Sequence, residues 1–332
     1  MNIASRFDGK RYHNAVPTSM STATSYWQMA RRWLLGREER VPRSPLPAFT
    51  VDAAALARPV PAAALRATWL GHSTVLLEID GRRFLTDPVW RARSSPVGWA
   101  GPERFFPNPL PLAQVPPLDG VLLSHDHYDH LDPLAVRALA RTGVPFFCPL
   151  GVGRHLRRWG VAADQITELD WWQALALAPD FTLVATPARH FSGRRLGLDQ
   201  DATLWASWAL LGPTHRAFFG GDSGPFDAAF QQIGAAYGPF DLTMLEIGAA
   251  DPDWANVHLG PAGAVAAHQL LGGRALLPLH WGTFNLAYHA WNAPAEEVEA
   301  VAAAAGVPLL LPRPGERVAA TQAPYLSGWW RL

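Results

Sequence analysis

The sequence contains a single cysteine, Cys148, in the apolar stretch VPFFCPL. No disulfide can form within the chain, no thiolate cluster can hold a structural zinc, and a lone cysteine in such a run reads as a small buried hydrophobe. Net charge is missing too. Lys plus Arg number 28 and Asp plus Glu number 28, so no global field draws in nucleic acid, and no nucleic-acid partner is expected. Long apolar runs are also absent, since each is cut by Gly, Pro or a charge short of a membrane-spanning length. The opening MNIASRFDGKRYHNAVPTS lacks the apolar core of a secretory signal. These absences lead to the expectation of a cytoplasmic protein, with peripheral membrane contact left open.

Two residue types are abundant instead, with fifteen Trp and thirty Pro. Trp joins a large apolar area to a polar tip, which suits big cores and lipid–water interfaces alike. A chain of 332 residues can build one large core or two domains. Residues 1–60 read as an extension and linker packing on the core. Within them YWQMARRWLLGREER places Tyr26, Met29, Ala30, Trp33 and Leu34 at helical spacing, giving a basic amphipathic helix, and a Pro- and Ala-rich linker follows. Residues 61–332 carry the domain proper. Asp80-Gly81 between two apolar runs predicts a hairpin, and Asp132-Pro133 predicts an N-cap with proline at the first helical position. FTLVATP, LWASWALL, RAFFGGD, FDLTMLEIG and RALLPLH read as strands, with helices at GPAGAVAAHQLLGG and APAEEVEAVAAAAG. That alternation predicts an α/β fold with partly antiparallel sheets.

Chemistry concentrates in LLSHDHYDHLD, directly after the apolar run GVLLS. His125 and His127 are two apart, so in an extended segment both imidazoles face one side, while Asp129 and His130 follow the turn and address a second point. Two ligand pairs on one loop suit a two-metal hydrolytic centre. The remaining ligands should come from other strand ends, where α/β sheets gather their sites. His190, Asp222 and His280 each follow an apolar run. Imidazole and carboxylate donors suit zinc first, with iron or manganese as alternatives. His72 in LGHST and Asp87 in LTDP read as residues supporting the ligands from behind, the Asp87 carboxylate being able to partner the outer nitrogen of a ligating histidine. The remaining histidines, His13, His155, His215, His268 and His289, read as structural.

The stretch SHDHYDH with its downstream His, Asp and His resembles the metallo-β-lactamase fold superfamily. The run of WLGHSTVLLEIDGRRFLTDP, GPERFF, SHDHYDHLD, ELDWW, TPARHFSGR, LWASWALLG, GDSG, GPFDL and LHWGTF is similar, in order and context, to the N-acyl-phosphatidylethanolamine-hydrolysing phospholipase D family. The resemblance spans about Trp69 to Phe284, with a fainter echo at FDGKRYHN. It implies an αββα sandwich of mixed sheets with a dinuclear metal site at the strand ends. One metal would take His125, His127 and His190, the other Asp129, His130 and His280, with Asp222 bridging. It also implies that His258 lies beside the substrate phosphate and that Tyr128 contacts substrate; next to His258 the family's glutamine is replaced by Val257.

The implied activity is phosphodiester hydrolysis of an N-acylated phospholipid by a metal-bridging hydroxide, with Asp222 orienting it and relaying a proton. Lactone, ester or β-lactam hydrolysis by the same site is the alternative, and a non-catalytic lipid or metal binder is the third reading. The loop PVWRARSSPVGWAGPERFFPNPL interleaves Trp90, Trp99, Phe105 and Phe106 with Arg91, Arg93 and Arg104, a composition able to take acyl chains and an anionic head group.

Overall fold

Alternation within the strands builds the core. The structure, a computed structural model, describes residues 3–18, 31–32, 35–195 and 197–332. In β4 (Val75–Ile79) every residue is buried. Val75, Leu77 and Ile79 face a core shared with Leu183, Trp208 and Phe218, whereas Leu76 joins Leu85, Val121, Val136 and Leu139 on the opposite side. A period of two thus feeds one sheet into two apolar layers.

A hairpin of β1 (Arg6–Phe7) and β2 (Tyr12–His13) precedes the sandwich. The first sheet joins β4 to β3 (Leu65–Trp69), β5 (Arg82–Thr86), β6 (Gly120–Leu122), β7 (Phe146–Pro149), β8 (Ile166–Leu169) and β15 (Arg317–Ala319), in the order β15-β3-β4-β5-β6-β7-β8. The second contains β9 (Ala174–Ala178), β10 (Phe181–Thr186), β11 (Ser207–Leu211), β12 (Arg216–Phe219), β13 (Leu242–Glu246) and β14 (Leu276–Leu279), ordered β14-β13-β12-β11-β10-β9. Pairing is antiparallel from β15 to β5 and parallel from β5 to β8; in the second sheet β12-β13-β14 are parallel and the rest antiparallel. The helix Pro133–Ala140 covers the first sheet, and Gly260–Leu270, packed against Asp227–Tyr237 and Ala293–Ala305, covers the second. The result is an αββα sandwich with mixed sheets, as expected.

The Asp80-Gly81 turn joins β4 to β5, with Asp80 at φ 47° and Gly81 at φ 80°. Asp132 caps the helix behind the histidine loop by accepting from Leu134 N, with Pro133 in the first turn. The Pro-rich linker carries a short helix, Ala53–Ala57, that the composition did not suggest; Asp52 caps it, and its Leu56 is buried in the outer apolar layer. Tyr26, Met29, Ala30, Trp33 and Leu34 of the expected basic helix lie outside the described residues. Among the described residues, no helix is long and apolar enough to cross a membrane.

Candidate metal centre

Strand ends deliver the site. The loop carrying His125, His127, Asp129 and His130 leaves β6; His190 follows β10, Asp222 follows β12, and His280 immediately follows β14. The seven residues meet at one edge of the sandwich in two groups. His125 Nε2 stands 2.8 Å from His127 Nδ1, and His190 Nε2 stands 3.4 Å from that same His127 nitrogen. Asp222 Oδ2 lies 3.1 Å from both His130 Nε2 and His280 Nε2. Asp129 Oδ2 is 3.6 Å from the first of these nitrogens and 3.5 Å from the second. Asp222 Oδ2 also comes within 3.7 Å of His190 Nε2, so one carboxylate touches both groups.

Hydrogen bonds on the outer nitrogens choose which nitrogen faces inward. Asp87 is the hub: it accepts from Ser124 N at 2.7 Å, from Ser124 Oγ at 2.5 Å and from His130 Nδ1 at 2.7 Å. Because the Ser124 hydroxyl gives its proton to Asp87, it accepts from His125 Nδ1 at 2.9 Å. His190 Nδ1 donates to the Val257 carbonyl at 2.9 Å. All three rings direct Nε2 into the site, and in the neutral rings of His125 and His190 that nitrogen is a lone pair. His72 Nε2 bonds Asp129 Oδ2 at 3.0 Å, and its backbone carbonyl accepts from His280 N at 3.0 Å. Three of these residues, His72, Asp87 and His280, have positive φ, a strain that persists where surrounding structure enforces it. At Gly248 the backbone passes so close to His280 that an added Cβ would sit 1.7 Å from its carbonyl oxygen.

Several contributors escaped the sequence reading. Glu246, a lone acid ending an apolar strand, accepts from His258 Nδ1 at 2.5 Å and from Ser223 N at 2.9 Å. His258 Nδ1 lies 4.0 Å from Asp222 Oδ2, at the edge of the cluster. Asp126, inside the motif, accepts from Gly193 N at 2.8 Å and pairs with His155 at 3.1 Å. Arg194 is buried and donates to the carbonyls of Asp126, His127 and Leu131, which holds the turn of the ligand loop. Tyr128 stacks under that guanidinium, and its hydroxyl donates to Arg194 O at 2.7 Å. Asn14, beside the β1–β2 hairpin, brackets His190 by donating to its carbonyl at 2.7 Å and accepting from its N–H at 3.1 Å. No spacing rule reaches a partner 176 positions away.

The residues fit a cation. His130 Nε2, His280 Nε2 and Asp222 Oδ1 are buried outside hydrogen-bonding geometry among the described residues, an arrangement that calls for positive charge among them, supplied by protons in the free protein and by a cation when one is bound. Two nitrogens bound to one tetrahedral zinc at 2.0–2.1 Å stand about 3.3 Å apart, and the inward-facing atoms are spaced on that scale.

Electrostatics separates the two groups. Burial, reinforced by neighbouring histidines, holds His125 well below the ordinary imidazole range, and burial does the same to His190. Both are neutral and ready to ligate. Burial opposes charge on His130 and His280 as well, but Asp222 and Asp129 overcome it and lift His280 to about 10 and His130 well above the usual range. In the metal-free protein these two rings carry protons at pH 7, and ligation must expel them. Adding zinc to metal-free protein at pH 7 is therefore expected to release about two protons per molecule. Calorimetry in buffers of different ionisation enthalpy reads that number, and metal uptake without proton release would contradict the charge assignment.

Fold and site together define a metal-dependent hydrolase. The family described as "Beta-lactamase superfamily domain" matches residues 82–281, and the chain belongs to it. An uncharacterized protein of Mycobacterium tuberculosis is 49% identical over 275 residues, covering 82% of this chain and 73% of its own. A Caenorhabditis elegans relative named N-acyl-phosphatidylethanolamine-hydrolyzing phospholipase D 1 is 38% identical over 232 residues, covering 67% of this chain and 65% of its own. Among solved structures, the metallo hydrolase Igni18 of Ignicoccus hospitalis shares the fold, with a TM-score of 0.59 and 24% identity over 77% of this chain and 97% of its own.

Proposed function

We propose that this protein is a dinuclear-metal phosphodiesterase of phospholipase D type, acting on N-acyl phosphatidylethanolamine or a related phospholipid. The observation that carries this reading is the convergence of seven ligand side chains from four segments on buried nitrogens and a carboxylate oxygen that lack hydrogen-bond partners. The similarity to the nematode phospholipase supports the substrate class.

His125, His127 and His190 would hold one ion and Asp129, His130 and His280 the other, with Asp222 between them. Zinc suits these donors first, and iron or manganese are the alternatives. Such ions would supply an activated water, its pKa lowered from 15.7 towards about 7, and positive charge for a phosphoryl oxygen. Around them the protein's own groups have separate tasks. Asp222 presents an oxygen to both ligand groups and would orient the attacking water, take its proton as the oxygen adds to phosphorus, and pass that proton to the leaving oxygen. His258, its Nδ1 committed to Glu246, keeps Nε2 for a substrate phosphate oxygen. Val257, where the resembling family has glutamine, contributes through its backbone carbonyl alone. Asp87 and His72 fix the ligand rings and the Asp129 carboxylate. Water adds across the phosphorus–oxygen bond on the ethanolamine side, giving phosphatidic acid and the N-acylethanolamine.

The test is a turnover panel with purified protein: N-acyl phosphatidylethanolamine, a bis-aryl phosphodiester and a set of lactones, each with and without chelator. Phosphodiester cleavage lost on chelation and restored by zinc is the expected result. Turnover confined to lactones would replace this reading with acyl transfer to water.

A further inference from the structure

A cleft of about 280 Å³ opens on the outer side of the ligand loop, with Tyr128 forming part of its wall. Its lining includes five arginines, Arg91, Arg137, Arg158, Arg194 and Arg195, and a single acid, Asp199. In a chain whose formal charge is zero, such a concentration of one sign is not a consequence of composition. One carboxylate cannot balance five guanidinium groups, and Asp199 Oδ1 already accepts from the backbone amides of Arg194 and Arg195. Arg194 is occupied by the carbonyls of the ligand loop, and Arg91 is 3.7 Å from Asp132. The guanidinium groups of Arg137, Arg158 and Arg195 have no ion pair or hydrogen bond among the described residues, although all three side chains border one cavity. Like charges held together in excess of their counter-charges raise the energy of the free protein, and an anion entering the cleft relieves that repulsion.

The segments that build the cleft indicate what carries the anion. Trp99 is 83% exposed, Leu198 81% and Leu134 50%. They stand on the same three segments that supply Pro96, Arg195 with Asp199, and Pro133 to the lining. Large exposed apolar side chains on the segments that build a cationic cleft match the headgroup boundary of a bilayer, where rings and aliphatic chains enter the acyl region while arginines meet phosphate.

We propose that this cleft is a binding site for the phosphate of an anionic phospholipid headgroup, and that it docks the protein on anionic membranes. Arg137, Arg158 and Arg195 clasp the phosphate, and Trp99, Leu134 and Leu198 enter the surface. The site is separate from the metal ligands, and the inference stands whether or not the phospholipase reading does.

The experiment is co-sedimentation of the full chain with two vesicle populations, one of phosphatidylcholine alone and one with phosphatidic acid mixed in. Binding should favour the phosphatidic acid vesicles at least about tenfold and weaken as salt shortens the range of the charges. The double variant Arg137→Glu/Arg158→Glu alters only exposed side chains, so it should keep its melting temperature and metal content. It should lose at least about tenfold in binding to anionic vesicles, and Trp99→Ser should lose binding to both populations. Equal affinity for the two vesicle types, or a folded double variant that binds like the parent, would overturn the proposal. Glycerol 3-phosphate or inorganic phosphate supplies the competing arm. Saturation of the cleft by either without vesicle binding would make it a free-phosphate site and refute the membrane role.

Discussion

Asp222→Asn is expected to abolish hydrolysis while leaving the fold in place. The substitution keeps shape and volume but removes the charge from an oxygen that stands 3.1 Å from two imidazole nitrogens and 3.7 Å from a third. Asp222 is held well below the usual carboxylate range: burial works against its charge, but His130 and His280 outweigh that. The carboxylate therefore rests in its charged form, able to take up a proton during the reaction. Without it, the cluster loses the one negative group common to both ligand sets, and a neutral amide cannot return a proton to a leaving oxygen. We expect turnover to fall roughly 10³-fold or more, at the upper end of what removing one electrostatic contributor costs. Elemental analysis should show fewer than two ions retained. Full turnover with both ions present would remove Asp222 from the mechanism.

Trp281→Ala should have the largest effect on stability. Trp281 follows the ligand His280 and is 3% exposed. Its ring stacks on Trp69 at 5.3 Å and on Trp329 at 5.3 Å, and meets Trp330 edge-on at 5.5 Å. Truncation empties the centre of this aromatic group. The expected cost is about 3–5 kcal/mol, from lost transfer energy and from a cavity the stiff neighbouring rings cannot close. Because the backbone at His280 has φ 65° and is pressed against Gly248, the loosened turn should also bind metal more weakly. Denaturant unfolding and metal titration read the two consequences separately. A variant as stable as the parent would mean that the tryptophans pack around the site without supporting it.

These two residues show how unevenly the site can be read from the chain. Asp222 was visible because a charged residue directly after an apolar run has few structural uses at a strand end. The indoles around Trp281 come from residues 69, 281, 329 and 330, and no local period connects them. The same division holds for the fold. The Asp80-Gly81 turn and the Asp132-Pro133 cap are local chemistry, legible in a few residues. The helix Asp227–Tyr237 went unread, since its burial depends on the sheet and the helix it packs against. Strand β9 went unread as well: its ALALA run has no buried face, and its place depends on pairing with β10.

By itself the sequence determined the donor types, their H-x-H-x-D-H spacing and the punctuation that ends each strand beside a ligand, because these depend on residues only a few positions apart. Tertiary structure alone decided that Asp87, Ser124 and the Val257 carbonyl orient the rings, that Glu246 holds His258, that Asn14 brackets His190, and that five arginines share one cleft. Each of these is a contact at hydrogen-bond or van der Waals range between segments distant in the chain. Such contacts are set by how the two sheets stack and where their ends meet, and a linear pattern carries no record of that.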